Sequence, residues 1–394
     1  MSDQSSDRFS IGRRTLFKSG AAVAGASALG LSIANSEVLA QATPTATGDL
    51  TVGSNYSNET PKAALHAAVD AFPNKNVTIK LNEVDHNTFQ ENITTYLQNP
   101  DDVLPWFAGY RMRYFAAQEL LGQINDVWEA GLNDNLTEAF KTASTGDDGN
   151  QYFVPWTYYN WGIFYRPSLF EENGWTAPTT MDELATLGAA MQEKGITPFA
   201  FGNDGKWPAM GTFDQLNFRL NGYQFHVDLM AGKEKWTDDR VKAVFAAWAD
   251  LLPLHQEDPN GRTWEEAAAA VISKEAGMMT IGSFIGEVFP AEEIEDLDFF
   301  VWPSMNDEFG TGTVEAPIDG WMMAASPKNE EAAKELLYFF GTAAAQEAFL
   351  KVNPSVVGAA GNVDSSPYSP LQQKVVETIA AATNITQFLD RDAS

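Results

Sequence analysis

Leu50-Thr51-Val52-Gly53, Val77-Thr78-Ile79-Lys80-Leu81-Asn82-Glu83-Val84 and Val103-Leu104-Pro105-Trp106-Phe107 are three apolar, β-prone runs that follow one another along the chain. In the second, Val77, Ile79 and Leu81 alternate with polar residues, which is the period of a strand with one face buried. Between the first two runs Leu65, Ala68, Val69 and Phe72 recur at helical spacing. Thr60 can cap that helix, and Pro61 sits at its first position, where proline is tolerated. Phe89, Ile93, Tyr96 and Leu97 mark a second helix, and residues 114–121 a third. Strand and helix thus alternate three times, which predicts an α/β fold class with a parallel sheet covered by helices.

Downstream, Asp147-Asp148-Gly149-Asn150 reads as a turn, because the further ligands and closing glutamate of a calcium loop are missing. Residues 151–165 form an aromatic, β-prone stretch able to pass from one lobe to another. A second α/β unit follows. Thr180-Met181-Asp182-Glu183 is a capping box, Gly195 a stop and 197–201 a strand. Val241, Val244, Phe245, Trp248, Leu251 and Leu252 make the buried stripe of another helix. Thr263-Trp264-Glu265-Glu266 repeats the capping box, with Gly277 expected to end that helix. Asn329 caps a helix over 330–340, in which Glu330 and Lys334 pair one turn apart.

The N-terminus reads as an address. Arg13-Arg14-Thr15-Leu16-Phe17-Lys18 precedes an apolar, small-residue run over 21–33 that is too short and weak to span a bilayer stably, as in a twin-arginine export signal. Ala40-Gln41-Ala42 supplies a small-x-small cleavage site, with Val38-Leu39-Ala40 as second choice, so residues 1–42 are signal and 43–48 a flexible leader. The expected location is outside the cytoplasm. A chain of 394 residues exceeds one average domain. The net charge of −28 excludes nucleic acid and an anionic membrane surface as partners; it fits a solvated surface or adaptation to high salt. With no cysteine there are no disulfides, thiolate nucleophiles or thiolate metal sites.

Little points to catalysis. His66, His86, His226 and His255 are scattered without metal-site spacing, and read as surface or packed histidines. Nucleophile-elbow, phosphate-loop and dinucleotide glycine patterns are missing, so no metal, cofactor or catalytic residue is expected. Aromatic residues at strand ends and in loops are more informative: Trp106, Tyr110, Trp156, Tyr158, Tyr159, Trp161, Trp207, Phe284 and Trp321. A pyranose has apolar C–H faces and a rim of hydroxyls. Its site needs flat aromatic walls for the faces and carboxylates, amides or arginine for the rim. In open α/β sheets ligands bind beyond the carboxyl ends of strands, where several of these residues fall. Trp161, Trp248 and Phe245 are expected to be core.

Several segments, in order, carry a resemblance. They are Trp106-Phe107-Ala108-Gly109-Tyr110-Arg111, Tyr152-Phe153-Val154-Pro155-Trp156, Gly162-Ile163-Phe164-Tyr165-Arg166, the run from Gly174-Trp175 to Asp182-Glu183-Leu184, Gly277-Met278-Met279-Thr280-Ile281-Gly282-Ser283-Phe284, and the stretch 317–333. Together they resemble the family-1 extracellular solute-binding proteins, the sugar-binding relatives of maltose-binding protein, over nearly the whole chain from Leu50.

The resemblance implies a type II periplasmic-binding-protein-like fold of two discontinuous lobes, 49–155 with 284–340 and 156–283 with 341–394. It implies a monomer that captures a mono- or oligosaccharide and delivers it to the membrane permease subunits of an ABC importer. The alternatives are an exported carbohydrate-active enzyme and a same-fold binder of a non-sugar solute. By position Glu59, Tyr110, Arg111, Trp207, Phe284, Asp319 and Trp321 would touch the ligand, joined by Trp106, Trp156 and Tyr158. Relatives continue past the segment like Asn384-Ile385-Thr386-Gln387-Phe388-Leu389, so a C-terminal truncation is expected, leaving Val375, Val376 and Ile379 uncovered.

Overall fold

The computed structural model describes residues 45–393; the expected export signal, residues 1–42, lies outside the described residues. The strands are β1 (Gly48–Ser54), β2 (Val77–Glu83), β3 (Val103–Phe107), β4 (Val154–Tyr158), β5 (Trp161–Tyr165), β6 (Thr197–Ala200), β7 (Ala276–Gly282), β8 (Asp298–Phe300), β9 (Thr313–Glu315), β10 (Ile318–Met323), β11 (Val357–Gly358) and β12 (Asn384–Thr386). They form a six-stranded sheet in the order β11-β4-β10-β3-β1-β2, a four-stranded sheet β6-β7-β5-β8, and a parallel pair β12-β9.

The helix Glu59–Asp70 buries Ala64, Leu65 and Ala68 on the first sheet, beside the fully buried Leu50 and Val52 of β1. Burying side chains of this size contributes about 1.5–3 kcal/mol each. Its entry residue is Asn58, not Thr60, whose hydroxyl donates instead to the Glu287 carbonyl at 2.9 Å. The second expected helix breaks into His86–Glu91 and Ile93–Tyr96, and the third lies earlier than expected, at Tyr110–Ala117. The expected parallel order holds for β2-β1-β3. β10, however, enters antiparallel between β3 and β4, a long-range pairing that local periodicity does not encode. At Gly320 the β10–β4 register shifts, and a Cβ there would lie 2.2 Å from the Val154 carbonyl oxygen, so the position excludes a side chain.

The chain passes from the first sheet to the second through Tyr159-Asn160, between β4 and β5. In the second sheet's layer both expected capping boxes form, at Thr180 with Glu183 and at Thr263 with Glu266. The helix Trp264–Ile272 ends before Gly277, which lies inside β7 where a Cβ would meet the Met191 sulfur at 2.4 Å. On the helix Asp239–Leu251, Val241, Val244 and Leu251 are buried, whereas Phe245 is 52% exposed and not core. Asn329 caps Glu330–Phe340, with Lys334 and Glu330 paired at 2.7 Å.

Three expectations change. The end of the leader is fixed: Ala46 is buried, and the Thr45 amide donates to Glu335 at 2.7 Å. β11 joins the first sheet and Phe349 of the helix Ala343–Leu350 packs on Tyr56, so the chain after 341 does not segregate with the second sheet, while β8 leaves the first for it. The helix Pro370–Ala381 buries Val375 and Ile379, each 1% exposed, so this apolar face is covered. Among the described residues no helix is long and apolar enough to cross a membrane.

Candidate functional site

Beyond the carboxyl ends of β1 and β3, between the two sheets, lies a cavity of about 100 Å³, counted as space open to the centre of a water molecule. A cavity needs about 10–15 Å³ on that measure to hold one water, so this one has room for a small ligand. From the first sheet's layer come the β1 end with Asn55 and Tyr56, Trp106 of β3, Asp319 with Gly320 of β10, and His86. From the second come Trp161 of β5, Trp207 and Trp264 at helix starts, and Phe284 just after β7. Phe388, Asp390 and Arg391 close it from the far end of the described chain.

The apolar part is an aromatic wall. Trp161 stacks on Phe388 with ring centres 4.9 Å apart and planes at 18°. Trp207 and Phe284 meet edge-on at 5.8 Å, and Trp264 and Phe284 at 5.3 Å. Lys206, in the left-handed region at φ 64, turns the chain so that Trp207 starts its helix at the cavity.

The polar part centres on Arg391, 6% exposed. Its Nη2 donates to the Tyr159 hydroxyl at 2.7 Å, its Nη1 lies 2.9 Å from Asp319 Oδ1, and its guanidinium sits 3.8 Å over the Phe107 ring. Burial alone would pull the Arg391 pKa down, but Tyr159, Asp319 and Asp390 outweigh it and keep the group charged. Burial raises the Asp319 carboxyl, and it raises Asp390 to about 6, in each case against the pull of Arg391. Glu287 is pushed up to about 8 by burial, although Asn353 donates to it at 2.7 Å. His86 is pulled down to about 4, by burial first and then by the charge of Arg391. Trp106 Nε1, Trp161 Nε1, Asp390 Oδ1 and Arg391 Nε are buried without a hydrogen-bond partner among the described residues. Unpaired buried polar atoms are costly, and a polar ligand in the cavity would offer partners to those of its lining residues.

Of the residues singled out in the sequence, Trp106, Tyr159, Trp161, Trp207, Phe284 and Asp319 line this cavity. Glu59, Tyr110, Arg111, Trp156, Tyr158 and Trp321 do not. Trp156 and Trp321 are fully buried and meet edge-on at 6.2 Å in the first core, Trp321 lying two residues deeper along β10 than Asp319 and Trp156 at the β10–β4 register shift. Tyr158 packs on Phe140 at 5.7 Å. Tyr110 stacks on Tyr114, Arg111 covers the outer face of Trp106 at 4.9 Å, and Glu59 is exposed. Conversely Trp161, expected to be core, and His86, expected to be a surface or packed residue, both line the cavity. Tyr56, Glu287, Phe388, Asp390 and Arg391 gave no signal of their own; the pairing of β12 with β9, which brings the last three close, joins positions about seventy residues apart.

The sequence profile of the bacterial extracellular solute-binding proteins matches residues 56–347. The chain is similar to the bacterial solute receptor AcbH, described as having an exclusive preference for β-D-galactopyranose, with 43% identity and a TM-score of 0.86 over 88% of this chain and 90% of that one. An uncharacterised extracellular-binding protein of an ABC transporter from Pyrococcus horikoshii is 26% identical over 333 residues, 82% of this chain and 74% of that protein. A protein of Rhizobium meliloti named as a probable sugar-binding periplasmic protein is 26% identical over 286 residues, 71% of this chain and 68% of that protein. A profile match over most of the chain, joined to 43% identity with a solved receptor of the same fold, settles the family: the chain belongs to the bacterial extracellular solute-binding proteins.

Proposed function

We propose that this receptor captures one neutral pyranose, with D-galactopyranose the first candidate, and hands it to the permease subunits of an ABC importer. The observation that carries the reading is the aromatic-walled cavity in which Asp390, Arg391, Trp106 and Trp161 keep open hydrogen-bonding atoms. Trp161, Trp207 and Phe284 offer flat surfaces for the C–H faces of a ring, and Asp319, Asp390 and Arg391 offer acceptors and donors for its hydroxyl rim. Arg391 is already paired with Asp319, so an anionic sugar finds no free cation here. The galactose preference of AcbH, a relative at 43% identity, points the same way.

Trp207 donates to Asn87 across the cavity at 3.1 Å, and Asn58 to Glu265 at 3.3 Å. A ligand touching both walls adds to these bridges and favours closure around it. No bond is made or broken in this scheme, and the carboxylates serve as hydroxyl acceptors. The protein works as a monomer outside the cytoplasm after twin-arginine export.

A thermal-shift panel followed by calorimetry tests the reading. D-galactose at a hundred times its Kd should stabilise the protein by about 2.7 kcal/mol, while galacturonate and disaccharides leave the melting temperature unchanged. Tighter binding of a disaccharide, or no response to any monosaccharide, would overturn it.

A further inference from the structure

Three cavity residues, Phe388, Asp390 and Arg391, stand on the short segment 384–392, which is held at its two ends by Thr386 and Gln387 bonding to Ala316 and Ile318 and by Asp392 accepting from Tyr110. β12 pairs in parallel with β9, Asn384 facing Thr313 and Thr386 facing Glu315. Between Phe388 and Asp390, the Leu389 amide donates to Asp214 Oδ2 at 2.8 Å. Asp214 is fully buried on the helix Trp207–Met230. The next residue on that helix, Gln215, donates to Glu315 Oε2 of β9 at 2.8 Å, and Glu315 is also fully buried. One helix therefore grips both β9 and the residue between Phe388 and Asp390, while its first residue, Trp207, forms the opposite aromatic wall.

A fully buried carboxyl group is an expensive way to hold one amide. Burial, and then the neighbouring Glu315, push the Asp214 pKa well above the carboxylate range. The buried His226 lies 4.0 Å from the other carboxyl oxygen, but the hydrogen bond that Asp214 accepts comes from Leu389, two positions before the charged Arg391.

We propose that Asp214 is a positioning residue for the ligand site, which through the Leu389 amide sets the place of Phe388 and Arg391 against the sugar. This rests on the pyranose reading of the cavity. Asp214 itself touches no ligand; an amide at 214 would still accept from Leu389, and a leucine would not.

The sharpest variant is Leu389→Pro. Leu389 opens the helix Leu389–Asp392, where proline is tolerated, and the preceding Phe388 already has φ −71 and ψ 143, a conformation that suits a residue before proline. The substitution deletes the donor and leaves Asp214 in place. Calorimetry with D-galactose on the full chain is expected to give Asp214→Asn within threefold of wild type. Leu389→Pro and Asp214→Leu should each bind at least tenfold more weakly. Leu389→Pro combined with Arg391→Ala should be no weaker than Arg391→Ala alone. Losses that multiply in the double variant, or wild-type affinity in Leu389→Pro, would overturn the proposal. Hydrogen exchange over 384–392 in the sugar-free protein reads the same coupling without a ligand: faster exchange in Leu389→Pro supports it and unchanged exchange sinks it. Wild-type protein that binds no monosaccharide while that exchange difference persists would overturn only the pyranose reading.

Discussion

The Trp207 indole donates a hydrogen bond to Asn87 Oδ1 at 3.1 Å, and so a helix of the second sheet's layer touches one of the first's across the cavity. His86, next to Asn87, meets the same indole edge-on at 6.4 Å. Asn87→Ala should remove one neutral hydrogen bond, worth about 1 kcal/mol, from the closed arrangement alone. Calorimetry should show about fivefold weaker sugar binding with little change in melting temperature. Unchanged affinity would mean that the bridge does not favour closure.

Trp156 and Trp321 behave differently. Both are fully buried in the first core, packed on Phe340 at 5.0 and 4.7 Å. Trp156→Ala and Trp321→Ala should each cost about 3–5 kcal/mol of stability, read by denaturant unfolding. Phe284→Ala, at the half-buried cavity edge, should lose affinity with a much smaller loss of stability.

Glu287 gives a pH dependence with a definite sign. Burial raises its folded-state pKa to about 8, so between its ordinary range and pH 8 the folded protein holds a proton that the unfolded chain has lost. Its contribution to stability therefore falls as pH rises through that window. Glu287→Gln has no proton to lose, so its melting temperature relative to wild type should climb from pH 5 to pH 8 and then level off. A difference that is flat across this range would show that Glu287 is ionised in the fold.

Export is tested at the other end of the chain. Replacing Arg13 and Arg14 together with lysine should abolish accumulation of the protein outside the cytoplasm, assayed by fractionation and immunoblot. Undiminished export would rule out the twin-arginine route.

Periodicity and capping made much of the architecture legible. β1, β2 and β3 fall where alternation places them, and Thr180 and Thr263 cap their helices because Glu183 and Glu266 stand three residues on. Those signals are local, and they stop where pairing becomes long-range. β10 enters the first sheet beside β3 across some two hundred residues, with Asp319 at the cavity edge opposite Phe107 and Trp321 two residues deeper, opposite Pro105, in the core. Without that register the two neighbours looked alike. Trp161 is both: buried in the first core, as an aromatic in an apolar strand reads, and a wall of the cavity, which its sequence position did not show. Arg391 had no pattern around it. It is recognisable only once Tyr159, Asp319 and Phe107 are seen to surround it.

Because Arg391 reaches the cavity from the segment 384–392, whatever is joined after Ala393 begins a few residues from the bound sugar. An affinity tag inserted there would load a segment that carries three cavity residues, and affinities measured on such fusions would report the tag as well as the receptor. The same nearness makes this end suited to an environment-sensitive dye. A probe attached at 393 would sense occupancy directly, turning the receptor into an optical sugar sensor without any change to the cavity.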